Sequence, residues 1–199
     1  MLNVVIAGVG GQGSVLASKI LATAAQSKGW KVRTAETIGM AQRGGSVTSH
    51  VRIASEGEEV HAPLVPRGRA DLVIALEPGE GVRACPFLAP DGLLVSSNVV
   101  VPAVTANLAG RTYAAAPMVE YLRETAAHFE LVDVRGICRQ VGSSKVANVV
   151  MLAAAVAASA RTGFGLGDAI APEEFEDALH VCVKPRFIDL NLAASAAAM

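Results

Sequence analysis

Residues 8 to 13 read Gly8-Val9-Gly10-Gly11-Gln12-Gly13, directly after the apolar run Leu2-Asn3-Val4-Val5-Ile6-Ala7. Gly8, Gly10 and Gly13 fill the three positions of G-x-G-x-x-G, and Ser14 to Gln26 then carries apolar residues at helical spacing. A strand, a glycine loop and a helix start offer one kind of chemistry. Unpaired N–H groups and positive dipole charge meet an anion, and residues without Cβ let a phosphate come close. The same glycines also serve a tight turn that seats the helix on the sheet, and the pattern by itself leaves both readings open.

A second cluster follows in Gly39-Met40-Ala41-Gln42-Arg43-Gly44-Gly45-Ser46-Val47-Thr48-Ser49-His50-Val51-Arg52-Ile53. Arg43 has the planar fork that clamps a carboxylate or phosphate, or forms an ion pair that shapes the loop. Gln12 and Gln42 supply amide donors and acceptors, Gln12 doubling as a helix-start cap, and Gly44-Gly45 admit a backbone. None of these is a nucleophile or a general base. Glu36 stands where a dinucleotide fold places its ribose-binding acid, but the segment beyond it does not continue as such a fold.

The pairing of G-x-G-G-Q-G with M-x-Q-R-G-G-S-V resembles the gamma domain of the 2-oxoacid:ferredoxin oxidoreductases. A free-standing chain of this length is most similar to the small subunit of the indolepyruvate branch. Gly142-Ser143-Ser144-Lys145-Val146-Ala147-Asn148 and Asn191-Leu192-Ala193-Ala194 extend the resemblance nearly end to end, with Ser143-Ser144 where many relatives carry Asn-Pro. The resemblance implies a subunit that supports thiamine-dependent oxidative decarboxylation of a 2-oxoacid, with electrons passing to ferredoxin. Thiamine diphosphate, Mg and the iron–sulfur clusters are then expected on a large partner subunit. In coenzyme A-using relatives the gamma domain lies near where that cofactor enters, which leaves room for coenzyme A here. Gly8, Gly10, Gly11, Gln12, Gly13, Met40, Gln42, Arg43, Gly44 and Gly45 are the residues expected near cofactor or substrate. Two other readings use the same loop: a self-sufficient nucleotide- or dinucleotide-binding enzyme, and an anion-sensing module.

The elements that must position these residues follow a strand–helix rhythm. Strands are expected at Lys31 to Glu36, Ser46 to Ile53, Asp71 to Leu76 and Leu93 to Ser96, with Thr112 to Ala116 as the last parallel strand. Val47, Ser49, Val51 and Ile53 alternate with Thr48, His50 and Arg52, and Glu56-Gly57-Glu58 reads as a hairpin turn toward Val60-His61. A short helix runs to Leu88. Helices dominate later, at Pro117 to Ala127, Asp133 to Gln140, Ser144 to Arg161 and Pro172 to Val183, the last opening with Pro172 before Glu173-Glu174. The pattern predicts one domain over 1–199: a three-layer α/β fold with a mainly parallel, Rossmann-like sheet, an antiparallel hairpin insertion and a helical C-terminal part from about residue 117. Ligands of such sheets sit at the carboxyl ends of the strands, where the glycine loop and the Thr37 to Gly45 segment both emerge.

Composition narrows the function classes. With 52% hydrophobic and 18% charged residues in 199, the chain can bury a large core. A formal net charge of −1, without basic runs, argues against nucleic acid. The N-terminus has no basic region before its apolar run, and the chain is read as cytoplasmic. Val146 to Ala160 is apolar but falls short of the roughly 20 residues of a membrane span, and fits a buried helix. Cys85, Cys138 and Cys182 form no C-x-x-C, too few and too scattered for an iron–sulfur cluster. His50, His61, His128 and His180 are equally dispersed, each a surface or locally bonded residue, so no metal is expected. A mean hydropathy of +0.42 implies an apolar partner interface, and self-association when the chain is isolated.

Overall fold

Leu2–Val9 (β1) is flanked on both sides by other strands and covered on both faces, which is why its residues are apolar without alternation. In this computed structural model, which describes residues 1–39, 44–102 and 113–199, the sequence then runs through α1 (Ser14–Ser27), β2 (Lys31–Ile38), β3 (Ser46–Ala54), β4 (Ala70–Ala75), α2 (Pro78–Ala84) and β5 (Leu88–Ser97). The remaining described strand and α-helices are α3 (Ala115–Thr125), β6 (His128–Val132), α4 (Val134–Val141), α5 (Ala147–Thr162), α6 (Pro172–Cys182) and α7 (Ile188–Ala198).

The six strands form one sheet in the order β2-β3-β1-β4-β5-β6. β1, β4, β5 and β6 are mutually parallel, and β3 runs antiparallel to both β1 and β2. Two reversals leave β2 pointing the same way as β1. Their carboxyl ends therefore share one edge, in register through Ile38↔Val47 and Val47↔Gly8.

The layers are unequal. Val4, Ile6, Val51, Ile53, Leu72, Ile74, Leu93 and Val95 pack beneath α1, α4, α5, α6 and α7 in the larger core. Val5, Ala7, Val73 and Leu94 face α2, α3 and the 60–68 segment in the smaller one. α5 is apolar around most of its circumference, with Val149, Val150, Met151 and Leu152 at most 1% exposed, as befits a helix enclosed by its neighbours. With its leading turn it is long and apolar enough to cross a membrane by composition, but 67% of that stretch is buried inside the fold.

Three expectations need correction. Ala115 begins helix α3, so the last strand is not Thr112 to Ala116, of which Thr112 lies outside the described residues; it is His128–Val132. Val60-His61 forms no strand, and the antiparallel element is instead β3 itself, inserted between β1 and β2. That insertion also moves Glu36 away. In a dinucleotide fold the acid ends a strand adjacent to β1, whereas here β3 intervenes and the exposed Glu36 meets Ser18 Oγ at 3.5 Å.

Candidate functional site at the carboxyl edge of the sheet

The glycine loop is held from three sides. Gly10 N donates to Gly45 O at 2.8 Å, joining the loop to the corner before β3. Gln12 Oε1 accepts the Val9 N–H at 2.7 Å while its Nε2 donates to Leu76 O at 3.0 Å. Asn148 Nδ2, from the first turn of α5, donates to Gly13 O at 3.3 Å. The Gln12 amide is thus bonded within the fold. It does not cap α1, whose N-cap is Gly13 and which has no side-chain cap.

Two of the glycines sit tightly against neighbouring side chains. A Cβ on Gly8 would lie 3.0 Å from Gln12 Oε1 and 3.1 Å from Leu76 Cδ1, and one on Gly13, at φ 83°, would lie 2.6 Å from Asn148 Nδ2. Gly11 differs: at φ 102° it faces open space.

That space is a cavity of about 640 Å³, lined among others by Gly11, Gln12, Leu76, Ser97, Cys138 and Asn148. Leu76, Val99, Val134, Ala147 and Met151 give it apolar walls, and Arg135, Arg139 and Lys145 place three exposed cations around it. Arg135 and Arg139 share one face of α4 by their i, i+4 spacing. Gly142, left-handed at φ 83°, ends that helix, and Ser143 Oγ accepts the Lys145 N–H at 3.2 Å to start the turn into α5. An anionic group with an apolar body suits this combination. Burial pushes the Cys138 thiol up, so it lines the cavity as a neutral thiol and not as a nucleophile.

On the opposite face of the sheet the same edge is acidic. Glu77 is fully buried and caps α2, its Oε2 accepting the Glu80 N–H at 2.9 Å. Ser46 Oγ donates to Glu80 Oε2 at 2.5 Å, tying α2 to the start of β3. Burial, then the charge and hydrogen bonding of Glu77, push the Tyr113 phenol up to about 12, which keeps it protonated.

Of the residues singled out in the sequence, Gly8, Gly10, Gly11, Gln12, Gly13, Gly44 and Gly45 come together along this edge, while Met40, Gln42 and Arg43 lie outside the described residues. Arg135, Arg139, Ser97 and Cys138 were not recognisable as site residues. The available signal was a pair of cations one turn apart on a short helix that runs into Gly142-Ser143-Ser144-Lys145. Among the described residues no group of three or more His, Cys, Asp or Glu side chains is placed to hold a metal ion.

Solved structures similar to this chain include the gamma subunit of a keto/oxoacid ferredoxin oxidoreductase from Geobacter sulfurreducens, with a TM-score of 0.69 at 23% identity over 100% of this chain and 96% of that one. A 2-oxoglutarate:ferredoxin oxidoreductase from Magnetococcus marinus, solved with 2-oxoglutarate, coenzyme A and succinyl-CoA, matches 99% of this chain with 31% of its own, at a TM-score of 0.69 and 18% identity. Both likenesses concern the fold. In sequence, the chain is 39% identical to indolepyruvate oxidoreductase subunit IorB of Archaeoglobus fulgidus, over 97% of this chain and 91% of the relative. The family model described as pyruvate ferredoxin/flavodoxin oxidoreductase matches residues 3–199. The chain belongs to that family, as a small subunit of the 2-oxoacid:ferredoxin oxidoreductases.

Proposed function

We propose that this chain works in the cytoplasm as the small subunit of an arylpyruvate:ferredoxin oxidoreductase, with indolepyruvate as the representative substrate. A larger partner subunit carries out the oxidative decarboxylation. In this reading thiamine diphosphate and Mg on the partner supply the decarboxylation chemistry, and the partner's iron–sulfur clusters pass the electrons to ferredoxin. The chain alone binds no thiamine diphosphate, Mg or iron–sulfur cluster, and coenzyme A is the one cofactor its own cavity is suited to. Its glycine loop and the 40–45 segment, with Met40, Gln42 and Arg43, are assigned the role nearest cofactor or substrate.

The observation that carries this reading is the near full-length likeness to a named indolepyruvate oxidoreductase subunit. The cavity supports a coenzyme A role. Its three cations suit the phosphates of that molecule and its apolar walls suit the adenine, and coenzyme A is among the ligands of the similar 2-oxoglutarate enzyme. The cavity equally supports an anion-sensing module that acts without redox chemistry.

Co-expression with a thiamine- and iron–sulfur-bearing large subunit tests the choice. Viologen reduction by indolepyruvate and coenzyme A is expected only when both chains are present. Binding of coenzyme A by this chain, without copurification or turnover alongside the large subunit, would favour the sensing module.

A further inference from the structure

Gln12 differs from every other residue lining the cavity in that both ends of its side chain are bonded to backbone. Val9 offers an N–H and Leu76 a carbonyl, at 2.7 and 3.0 Å from the amide. Only a side chain with an acceptor and a donor at one tip satisfies both, and the two backbone groups leave a single orientation for it. The contact spans the end of β1 and the end of β4, so it crosses the base of the loop. Gly8 completes the fit, because a Cβ there would lie 3.0 Å from the amide oxygen.

We infer that Gln12 is a positioning residue for the cavity: its amide bridges Val9 and Leu76, and so holds the loop wall against the cations of α4 without itself binding the ligand. The inference rests on reading the cavity as an anion site. Asn148 pins the far end of the loop through Gly13 O, and Gly11 lies between the two pins, facing the cavity. With the Gln12 side chain removed, the hydrogen bonds among the described residues that hold the near end beyond the β1–β3 ladder are Gly10 N to Gly45 O and Gln12 N to Val9 O.

Two substitutions separate this role from ligand contact. Gln12→Leu keeps the bulk and removes both bonds. Gln12→Glu keeps an acceptor for Val9 and sets a carboxylate oxygen against the Leu76 carbonyl. In the purified full chain without ligand, hydrogen exchange across residues 8–13 is expected to quicken at least about tenfold in both variants, while the core amides of β1 and β4 keep their protection. Coenzyme A, titrated by calorimetry, is expected to bind both variants at least about tenfold more weakly than it binds the unsubstituted chain. Unchanged exchange across residues 8–13 in Gln12→Leu overturns the inference, as does undiminished coenzyme A binding in that variant. Failure of the unsubstituted chain to bind coenzyme A removes the cavity reading instead, and the exchange result then decides Gln12 by itself. If Gln12→Leu does not fold, the same two measurements on Gln12→Glu decide.

Discussion

Asn148 and Gly13, 135 positions apart in sequence, share a space that only one of them can fill: the Asn148 amide donates to Gly13 O at 3.3 Å, and a Cβ on Gly13 would stand 2.6 Å from that same nitrogen. The first turn of α5 is thereby fitted to the glycine loop, and the large core beneath it fixes the distance between them.

That fit can be measured. Gly11→Ala adds a side chain at a left-handed backbone position with open space around it, and is expected to cost about 1–2 kcal/mol. Gly13→Ala carries the same strain plus the overlap with Asn148, which adds about 1–3 kcal/mol. In a chain of this length each kcal/mol lowers the melting temperature by about 2–4 °C. Adding Asn148→Ala to Gly13→Ala is expected to recover part of the loss, a non-additivity that a double-mutant cycle in thermal or denaturant unfolding will read.

His50 gives the fold a pH dependence. It is buried, its Nδ1 accepts the Val65 N–H at 3.3 Å, and its ring meets Phe87 edge-on at 5.4 Å. Burial lowers its pKa from the ordinary 6.5, so the unfolded chain binds the proton more readily than the folded one. Stability from the neutral ring is therefore complete above pH 6.5 and declines as pH falls below it, through the folded value. Carboxylates with lowered pKa, such as Glu174, act in a more acidic range. His50→Leu is expected to flatten the unfolding free energy between pH 5 and 7, about where histidine titrates; denaturant midpoints across that range test it.

The cations around the cavity are expected to act through charge. Arg135→Gln and Lys145→Gln should each weaken coenzyme A binding about tenfold at low ionic strength, with the differences shrinking as salt is added. Calorimetric titration at two salt concentrations provides the check. Equal losses at both concentrations would point to packing.

The isolated chain, prepared anaerobically, is expected to be colourless and inert with any 2-oxoacid. Visible charge-transfer absorbance or viologen reduction by the chain alone would contradict the division of labour proposed between the subunits. Sedimentation of the same sample is expected to show self-association through the surface left uncovered.

Much of the fold was legible because local signals agreed. The run from Leu2 to Ala7 and the glycines after it dictate strand and turn, and Pro172 before two glutamates marks the start of α6. β6 was not legible. His-Phe-Glu-Leu-Val is partly or fully exposed at four of its five positions on the sheet edge, without alternation, and only pairing with β5 makes it a strand. The glycine loop was visible for the same local reasons as β1, but the cavity behind it was not. Arg135 and Cys138 reach it from a helix more than a hundred positions further along, and proximity of that kind is a product of the sheet order. Gln12 was visible as an amide in a loop; that its amide oxygen and nitrogen are both engaged depends on where the chain leaves β4 at Leu76.

The antiparallel strand β3 has a consequence for how this protein can vary. Because it runs back antiparallel beside β2, Gly39 and Ser46 face each other, with Gly39 N donating to Ser46 O at 2.8 Å. This bond closes the rim of the sheet at one point, so the register of the strands is already fixed on the inner side of Gly39 and Ser46. A longer or shorter connection between those two residues would leave that register untouched, since doubling the length of a closed loop costs only about 0.6 kcal/mol in closure entropy. The register of the strands therefore does not dictate the chemistry of residues 40–44, and constraint on Met40, Gln42 and Arg43 has to come from what they meet in the assembled protein.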